Sequence, residues 1–297
     1  MKKKHTMIIG SSGSFGQELY KKYDPNELEF TFNRHFIKNG IKFDALNMNF
    51  EETIGDLNRF KNAVLLLADK NINYCFKNKK YSNLINITKI KEILNYLKKY
   101  SIKPIFLSTD FVFAGTKGNY TENDKPDPIV LYGKQKVEIE NFIQTNFTEY
   151  LIFRLSKTFS LKKNNPLGSF YSWLNFFDKE SKIYCATDQI YNPINIQDAA
   201  EIVFQISNKN INGIFNLAGP ESFSRYQIFE KLYEEYLKFK KKKVKLIDCK
   251  FNDLKQNSEK WPLDTSMIID KTTKNINIIF LKVDDAIKET VRRYFKS

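Results

Sequence analysis

Two hydrophobic rhythms alternate along the first half of the chain. Short apolar-rich runs stand at 6–9, 28–32, 41–44, 62–68 and 104–107, each ending in a polar or glycine-containing break. Such runs fit strands buried on both faces of a parallel sheet. Between them lie segments with apolar residues three and four apart, the spacing of one helix face. That spacing predicts helices over 51–60 and 84–100, the second carrying Leu84, Ile87, Ile90, Ile93, Leu94 and Leu97 on its face. The polar stretch 69–80 reads as a loop and 150–155 as a further strand. Beyond it the alternation loosens. Helices are expected over 169–177, 197–207, 224–237 and 283–295, with Ser224 as an N-cap. Strands are expected at 182–186, 213–217, 244–247 and 267–269. This order predicts an α/β protein with a doubly wound parallel sheet and right-handed crossovers.

Composition removes several classes of function. Hydrophobic residues make up 42% of the 297, enough for a packed core. No apolar run approaches the roughly 20 residues of a membrane helix, so no membrane is expected as a partner. The Met-Lys-Lys-Lys-His start is charged like a signal peptide, but only Met7-Ile8-Ile9 follow before a glycine turn. A cytoplasmic protein is therefore expected. Cys75, Cys185 and Cys249 are far apart and odd in number, which argues against a disulfide framework or a thiolate metal site. With only His5 and His35, neither a histidine metal site nor a histidine triad is expected. The net charge is +14, yet the lysines are dispersed among Asn, Ile, Phe and Tyr. The densest basic run, 238–245, falls between a helix pattern and a strand pattern. It reads as a solvated helix end, where cations suit the helix dipole, and nucleic acid is not an expected partner.

The candidate chemistry sits at strand ends. The first strand meets Gly10-Ser-Ser-Gly13-Ser-Phe-Gly16, and a helix begins directly afterwards. A strand, a glycine turn and a helix start together can seat a pyrophosphate, because glycine lets the backbone approach the phosphates. The spacing is G-x-x-G-x-x-G rather than the commoner G-x-G-x-x-G. After the second strand come Asn33 and Arg34 with no acid. In dinucleotide-binding folds an acid here holds a ribose 2′-hydroxyl, and an arginine suits a 2′-phosphate. This favours NADP, with NAD as the alternative. The strand at 104–107 runs into Ser108-Thr109-Asp110, and Tyr132 and Lys136 follow four residues apart, on one face of a helix. An ammonium beside a phenol favours the phenolate, and such a pair beside a hydroxyl can exchange a proton with a carbonyl or alcohol oxygen. Taken alone, the spacing also fits an ordinary amphipathic helix with an exposed lysine. Gly10, Ala68 and Thr109 all end strands, where ligands of such sheets bind.

Taken together, these residues resemble the extended short-chain dehydrogenase/reductase superfamily, and within it the dTDP-4-dehydrorhamnose reductase group of sugar-nucleotide reductases. The likeness rests on Gly10, Gly13, Gly16, the run Ser108-Thr109-Asp110-Phe111-Val112-Phe113 with Gly115, and Tyr120-x-Glu122. It continues through Pro126, Pro128, Tyr132-Gly133-x-x-Lys136-x-x-x-Glu140, Arg154-x-Ser156, Asp188-Gln189, Pro193, Asp198-x-Ala200 and the segment from Gly213 to Gly219. The resemblance implies a Rossmann dinucleotide-binding domain over 1–158, with return segments near 190–212. A smaller, discontinuous substrate domain would come mainly from 159–297.

The resemblance further implies reduction of a nucleotide-linked 4-keto-deoxysugar. Tyr132 would give the proton, Lys136 would lower its pKa and hold the nicotinamide ribose, and Thr109 would hydrogen-bond the carbonyl. Ser12, Ser14 and Phe15 in the glycine turn, with Asn33, Arg34, Asp44, Ala45, Ala68, Asn86 and Ser108, would line the cofactor cleft. Asp110, Val112, Phe113 and Lys157 would face the substrate. A nucleotide sugar is the expected partner, and a homodimer is compatible with the reading. Gln135, Ile139, the loop Ala68-Asp-Lys-Asn-Ile-Asn-Tyr and Lys157 depart from the group's pattern, the last where a tryptophan is common. Two other activities fit the same fold. One is an epimerase or dehydratase that returns hydride to the same sugar, against which Arg34 argues. The other is a non-catalytic regulatory subunit, against which the intact Thr109/Tyr132/Lys136 set argues.

Overall fold

The computed structural model describes residues 5–162, 170–254 and 259–296. Its strands are β1 (His5–Ile9), β2 (Leu28–Phe32), β3 (Ile41–Lys42), β4 (Phe60–Leu65), β5 (Lys103–Thr109), β6 (Leu151–Leu155), β7 (Thr158–Phe159), β8 (Lys182–Ala186), β9 (Ile190–Tyr191), β10 (Ile194–Asn195), β11 (Gly213–Leu217), β12 (Phe223–Ser224) and β13 (Lys245–Cys249). Seven of them form one parallel sheet in the order β11-β6-β5-β4-β1-β2-β3. The helices are α1 (Ser14–Tyr20), α2 (Phe50–Ile54), α3 (Ile72–Lys77), α4 (Lys79–Asn83), α5 (Lys89–Lys99), α6 (Leu131–Asn146), α7 (Phe170–Lys179), α8 (Ile196–Ser207), α9 (Arg225–Leu237), α10 (Asp270–Thr273) and α11 (Val283–Lys296).

Successive side chains of a strand point to opposite faces, so a sheet covered on both sides needs apolar residues at consecutive positions. The central strands meet that demand. Ile9, Leu65, Phe106 and Ile152 pack with α2, α5 and α6 on one face. Their neighbours Ile8, Val64, Ile105 and Phe153 pack with α1 and α8 on the other. A separate cluster joins α7, α9 and α11 around Trp173, Phe177, Tyr236 and Val291, with the parallel pair β8–β13 at its side. The Ser224 cap forms with Gln227 as a reciprocal capping box.

Four expected elements change. The helix expected over 51–60 ends at Ile54, because Gly55 turns out at φ +76°. A 3-10 turn, Leu57–Arg59, then feeds β4, which starts earlier than expected. The stretch 69–80 is largely helical. Asn71 caps α3 through the Tyr74 N–H, and burial of Cys75 anchors it. The long helix over 84–100 is a π turn, Leu84–Thr88, followed by α5. At 267–269 no strand forms; Met267 makes a single bridge to Tyr120. The expected helix start at Ser169 lies outside the described residues. No helix among the described residues is long and apolar enough to cross a membrane.

Candidate active site

A cleft of about 670 Å³ opens at the carboxyl ends of β1, β4, β5 and β6. Its floor is the glycine turn. Gly10 stands at φ +87°, and an added Cβ would come within 3.2 Å of the Leu67 amide. The Gly10 N–H donates to Thr31 Oγ1 (3.0 Å), and the Ser11 N–H and hydroxyl donate to the Thr31 carbonyl at 2.9 and 2.8 Å. Gly16 packs α1 onto the turn so closely that a Cβ would lie 2.5 Å from Ser11 Cα. At Gly13 the same atom would meet nothing within 4 Å, because it would project into open space. Gly16→Ala is therefore expected to destabilise the fold by about 1–3 kcal/mol through overpacking, while Gly13→Ala stays close to wild type. Urea unfolding of the two variants side by side checks this.

The wall opposite holds Thr109, Tyr132 and Lys136, all lining the same cleft. Gly133 lets α6 approach this closely, since a Cβ there would sit 2.1 Å from the Phe111 carbonyl oxygen. Lys136 is buried at 3% exposure; its Nζ donates to the Leu107 carbonyl (2.8 Å) and lies 4.4 Å from the Phe106 ring centroid and 5.7 Å from that of Tyr132. Burial pushes the Lys136 pKa down to about 7, against the opposing pull of Glu140. Tyr132 does not follow the expectation that the lysine lowers its pKa. Burial, reinforced by the acidic groups of Cys75, Asp110 and Asp69 nearby, pushes the phenol pKa upward. The ammonium lies against the ring and is committed to a carbonyl, so desolvation wins. Thr109 Oγ1 donates to Asp110 Oδ1 (3.0 Å) and accepts the Phe111 N–H (3.2 Å). Asp110 also accepts from Thr265 Oγ1 (2.7 Å), and burial raises its pKa to about 6. Beneath them Ser108 Oγ donates to Glu140, which pairs with Arg154 (2.9 Å) in the interior.

The other sequence-derived positions divide. Ser12, Ser14, Phe15, Asn33, Ala68, Ser108, Asp110 and Lys157 line the cleft with the three glycines. Arg34 is exposed one residue beyond Asn33 and is not part of the lining. Asp44 turns back onto the Leu46 N–H and Asn47, and Ala45 lines a separate hollow with Met48 and Tyr96. Val112 and Phe113 are fully buried rather than presented to a ligand; Phe113 stacks on Tyr120 at 4.2 Å. Asn86 lies behind the wall. It exchanges hydrogen bonds with the Asp69 backbone (2.8 and 2.9 Å) and donates to Gln135 Oε1 (2.8 Å). Gln135 in turn donates to Ser82 and Asn83, so this departure braces α6 against α4 and, through Asn86, against the loop after β4. Ile139 is a core residue. The sequence reading did not single out Thr31, Lys70, Tyr191, Trp261 and Thr265 as lining residues. Lys70 lay in the segment read as a loop, and Trp261 and Thr265 come from irregular chain without a local pattern. Among the described residues no cluster of His, Cys, Asp and Glu could hold a metal ion.

Comparison with known proteins gives a consistent family. The family model described as RmlD substrate binding domain matches residues 4–295. Methionine adenosyltransferase 2 subunit beta of Xenopus laevis is 22% identical, over 76% of this chain and 70% of its own. The dTDP-4-dehydrorhamnose reductase of Aggregatibacter actinomycetemcomitans is 25% identical, over 77% of this chain and 78% of its own. The structure of dTDP-4-dehydrorhamnose reductase from Bacillus anthracis in complex with NADP aligns with a TM-score of 0.78 and 18% identity, covering 99% of each chain.

Proposed function

We propose, from the premise that the chain belongs to the RmlD substrate binding domain family, that it reduces a nucleotide-linked 4-keto sugar with NADPH. The observation that carries the reading is the meeting of Thr109, Tyr132 and Lys136 with the glycine turn in one cleft. The cradle fits a dinucleotide. Gly10 and Gly16 keep the turn tight, Gly13 leaves room over it, and Lys136 on the cleft wall would offer its ammonium to a ribose hydroxyl. The NADP held by the B. anthracis relative supports NADP as the form used.

When bound, the nicotinamide supplies hydride to the carbonyl carbon. The electron pair of the C=O bond moves to oxygen, and Tyr132 gives that oxygen its phenolic proton, leaving an alcohol. A phenol whose pKa is raised by burial holds its proton at neutral pH, the form a donor needs. The positive charge of Lys136 then favours the phenolate left behind. Thr109 supports the carbonyl once its hydroxyl turns from Asp110.

The test is NADPH oxidation by the purified protein with a panel of 4-keto sugar nucleotides. Absence of turnover with every member would sink the reductase reading. The likeness to methionine adenosyltransferase 2 subunit beta favours a second reading, a subunit that binds without turning over. Co-purification with an unrelated enzyme and no turnover would support it.

Lys136 supplies a pH prediction. Its depressed pKa means the free protein carries an ammonium there below about pH 7 and loses it above. NADPH affinity should therefore fall as pH rises from about 7 to about 9, because binding then requires proton uptake at Lys136. Fluorescence titration across that range checks it, and Lys136→Gln should bind more weakly with a flatter profile.

A further inference from the structure

Hydride and proton transfer leave Lys70 and Lys157 of the cleft without a task, and Lys157 is the one on the Thr109 side. Lys157 follows β6 by two residues, and its backbone is fixed by the Ile194 N–H donating to its carbonyl (3.1 Å). Its Nζ lies 5.5 Å from the Trp173 ring centroid and 5.4 Å from that of Tyr191. The side chain is exposed within the cleft, and among the described residues no carboxylate reaches ion-pair distance. Three buried polar atoms of residues in the same cleft also lack partners among the described residues: Tyr191 Oη, Ser156 Oγ and Gln189 Oε1. Their residues are 4%, 3% and 7% exposed, and all line the cleft. A buried hydroxyl without a partner costs free energy that a bound ligand can return.

The chemistry of this group is that of an anion site. It offers one ammonium and two hydroxyl donors, against a single amide acceptor. The cleft's own carboxylate, Asp110, is already engaged by Thr109 and Thr265. Leu155, two residues before Lys157, pairs with Thr109 in the β5–β6 register, which sets Lys157 on the Thr109 side of the cleft. We propose that Lys157, flanked by Tyr191 and Ser156, binds a carboxylate carried by the sugar ring, so that the substrate is a nucleotide-linked acidic sugar. This rests on the reductase reading for its location in the sugar end of the cleft.

Calorimetric titration of the full chain, with and without NADP, separates the two ideas, because binding needs no turnover. The probes are glucuronate and glucose, each as its uridine and its thymidine diphosphate. The wild type should bind the glucuronate form roughly tenfold more tightly with at least one base, the gain of one charged hydrogen bond. Lys157→Gln should abolish the difference, and Lys157→Arg should retain it. Equal affinity for the two sugars in the wild type overturns the proposal, as does failure of the glucuronate forms to bind. Equal weakening of both sugars in Lys157→Gln also overturns it, since the lysine would then hold the diphosphate. A retained preference without any NADPH oxidation would uphold the carboxylate site while removing the reductase reading.

Discussion

Tyr132→Phe should lower kcat for carbonyl reduction by roughly 10²–10⁴-fold, the range for loss of a positioned general acid. The substitution deletes one hydroxyl and keeps the ring. The aromatic face that Lys136 rests against therefore remains, as does the Lys136 bond to the Leu107 carbonyl. Among the described residues this phenol makes no hydrogen bond, so unfolding midpoints should stay close to wild type. NADPH affinity should change little, because Tyr132 acts on the substrate oxygen and Lys136 on the ribose. The loss should thus appear in kcat with a nearly constant dissociation constant for NADPH, a split that steady-state kinetics and a binding titration resolve together. A variant with unimpaired kcat would remove Tyr132 from the chemistry. Thr109→Val is a useful companion. Its hydroxyl donates to Asp110 in the free protein, so its removal also perturbs a buried carboxyl, and its effect should be mixed.

The sequence made the sheet legible because a two-sided strand leaves a continuous apolar signature, and β1, β4 and β5 were found that way. The breaks in the helices were less visible. Gly55 was a stop signal inside an otherwise helical spacing, and the cap at Asn71 lay in a stretch whose polarity resembled a loop. The π turn Leu84–Thr88 keeps the apolar face of its helix nearly in register, so periodicity alone cannot reveal it.

For the site, residues at strand ends were found and residues from irregular chain were not. Thr265 reaches Asp110 across a sequence separation of 155, which no local pattern announces. Val112 and Phe113 failed for a different reason. Their place in a motif suggested a ligand, whereas their apolar character already fitted the cluster with Tyr120 and Met267. Gln135 shows the converse. As a departure it cast doubt on the pocket, yet its amide joins Asn86, Ser82 and Asn83 in a satisfied network behind it.

Glu140→Gln is expected to cost about 3–5 kcal/mol of stability, the usual effect of removing one partner from a buried ion pair. The carboxylate is held by Arg154 at 2.9 Å, with side chains only 1% and 2% exposed, and it also accepts from Ser108. The glutamine occupies the same volume but leaves the Arg154 charge uncompensated in the core, with the Glu122 carbonyl and the Phe113 ring face still against it. Urea unfolding monitored by circular dichroism measures the loss. Replacing both residues, Glu140→Met with Arg154→Met, should recover most of it, since neither charge is then stranded. A single variant as stable as wild type would show that the pair is not a buried contact. The pair also reaches the cleft. Glu140 is the main charge opposing the depression of the Lys136 pKa. Its neutralisation should move that titration further down, so the fall of NADPH affinity with rising pH should begin at lower pH in Glu140→Gln than in wild type. Stability and cofactor binding would thus respond to the same carboxylate, by two routes that denaturation and a pH-dependent titration tell apart.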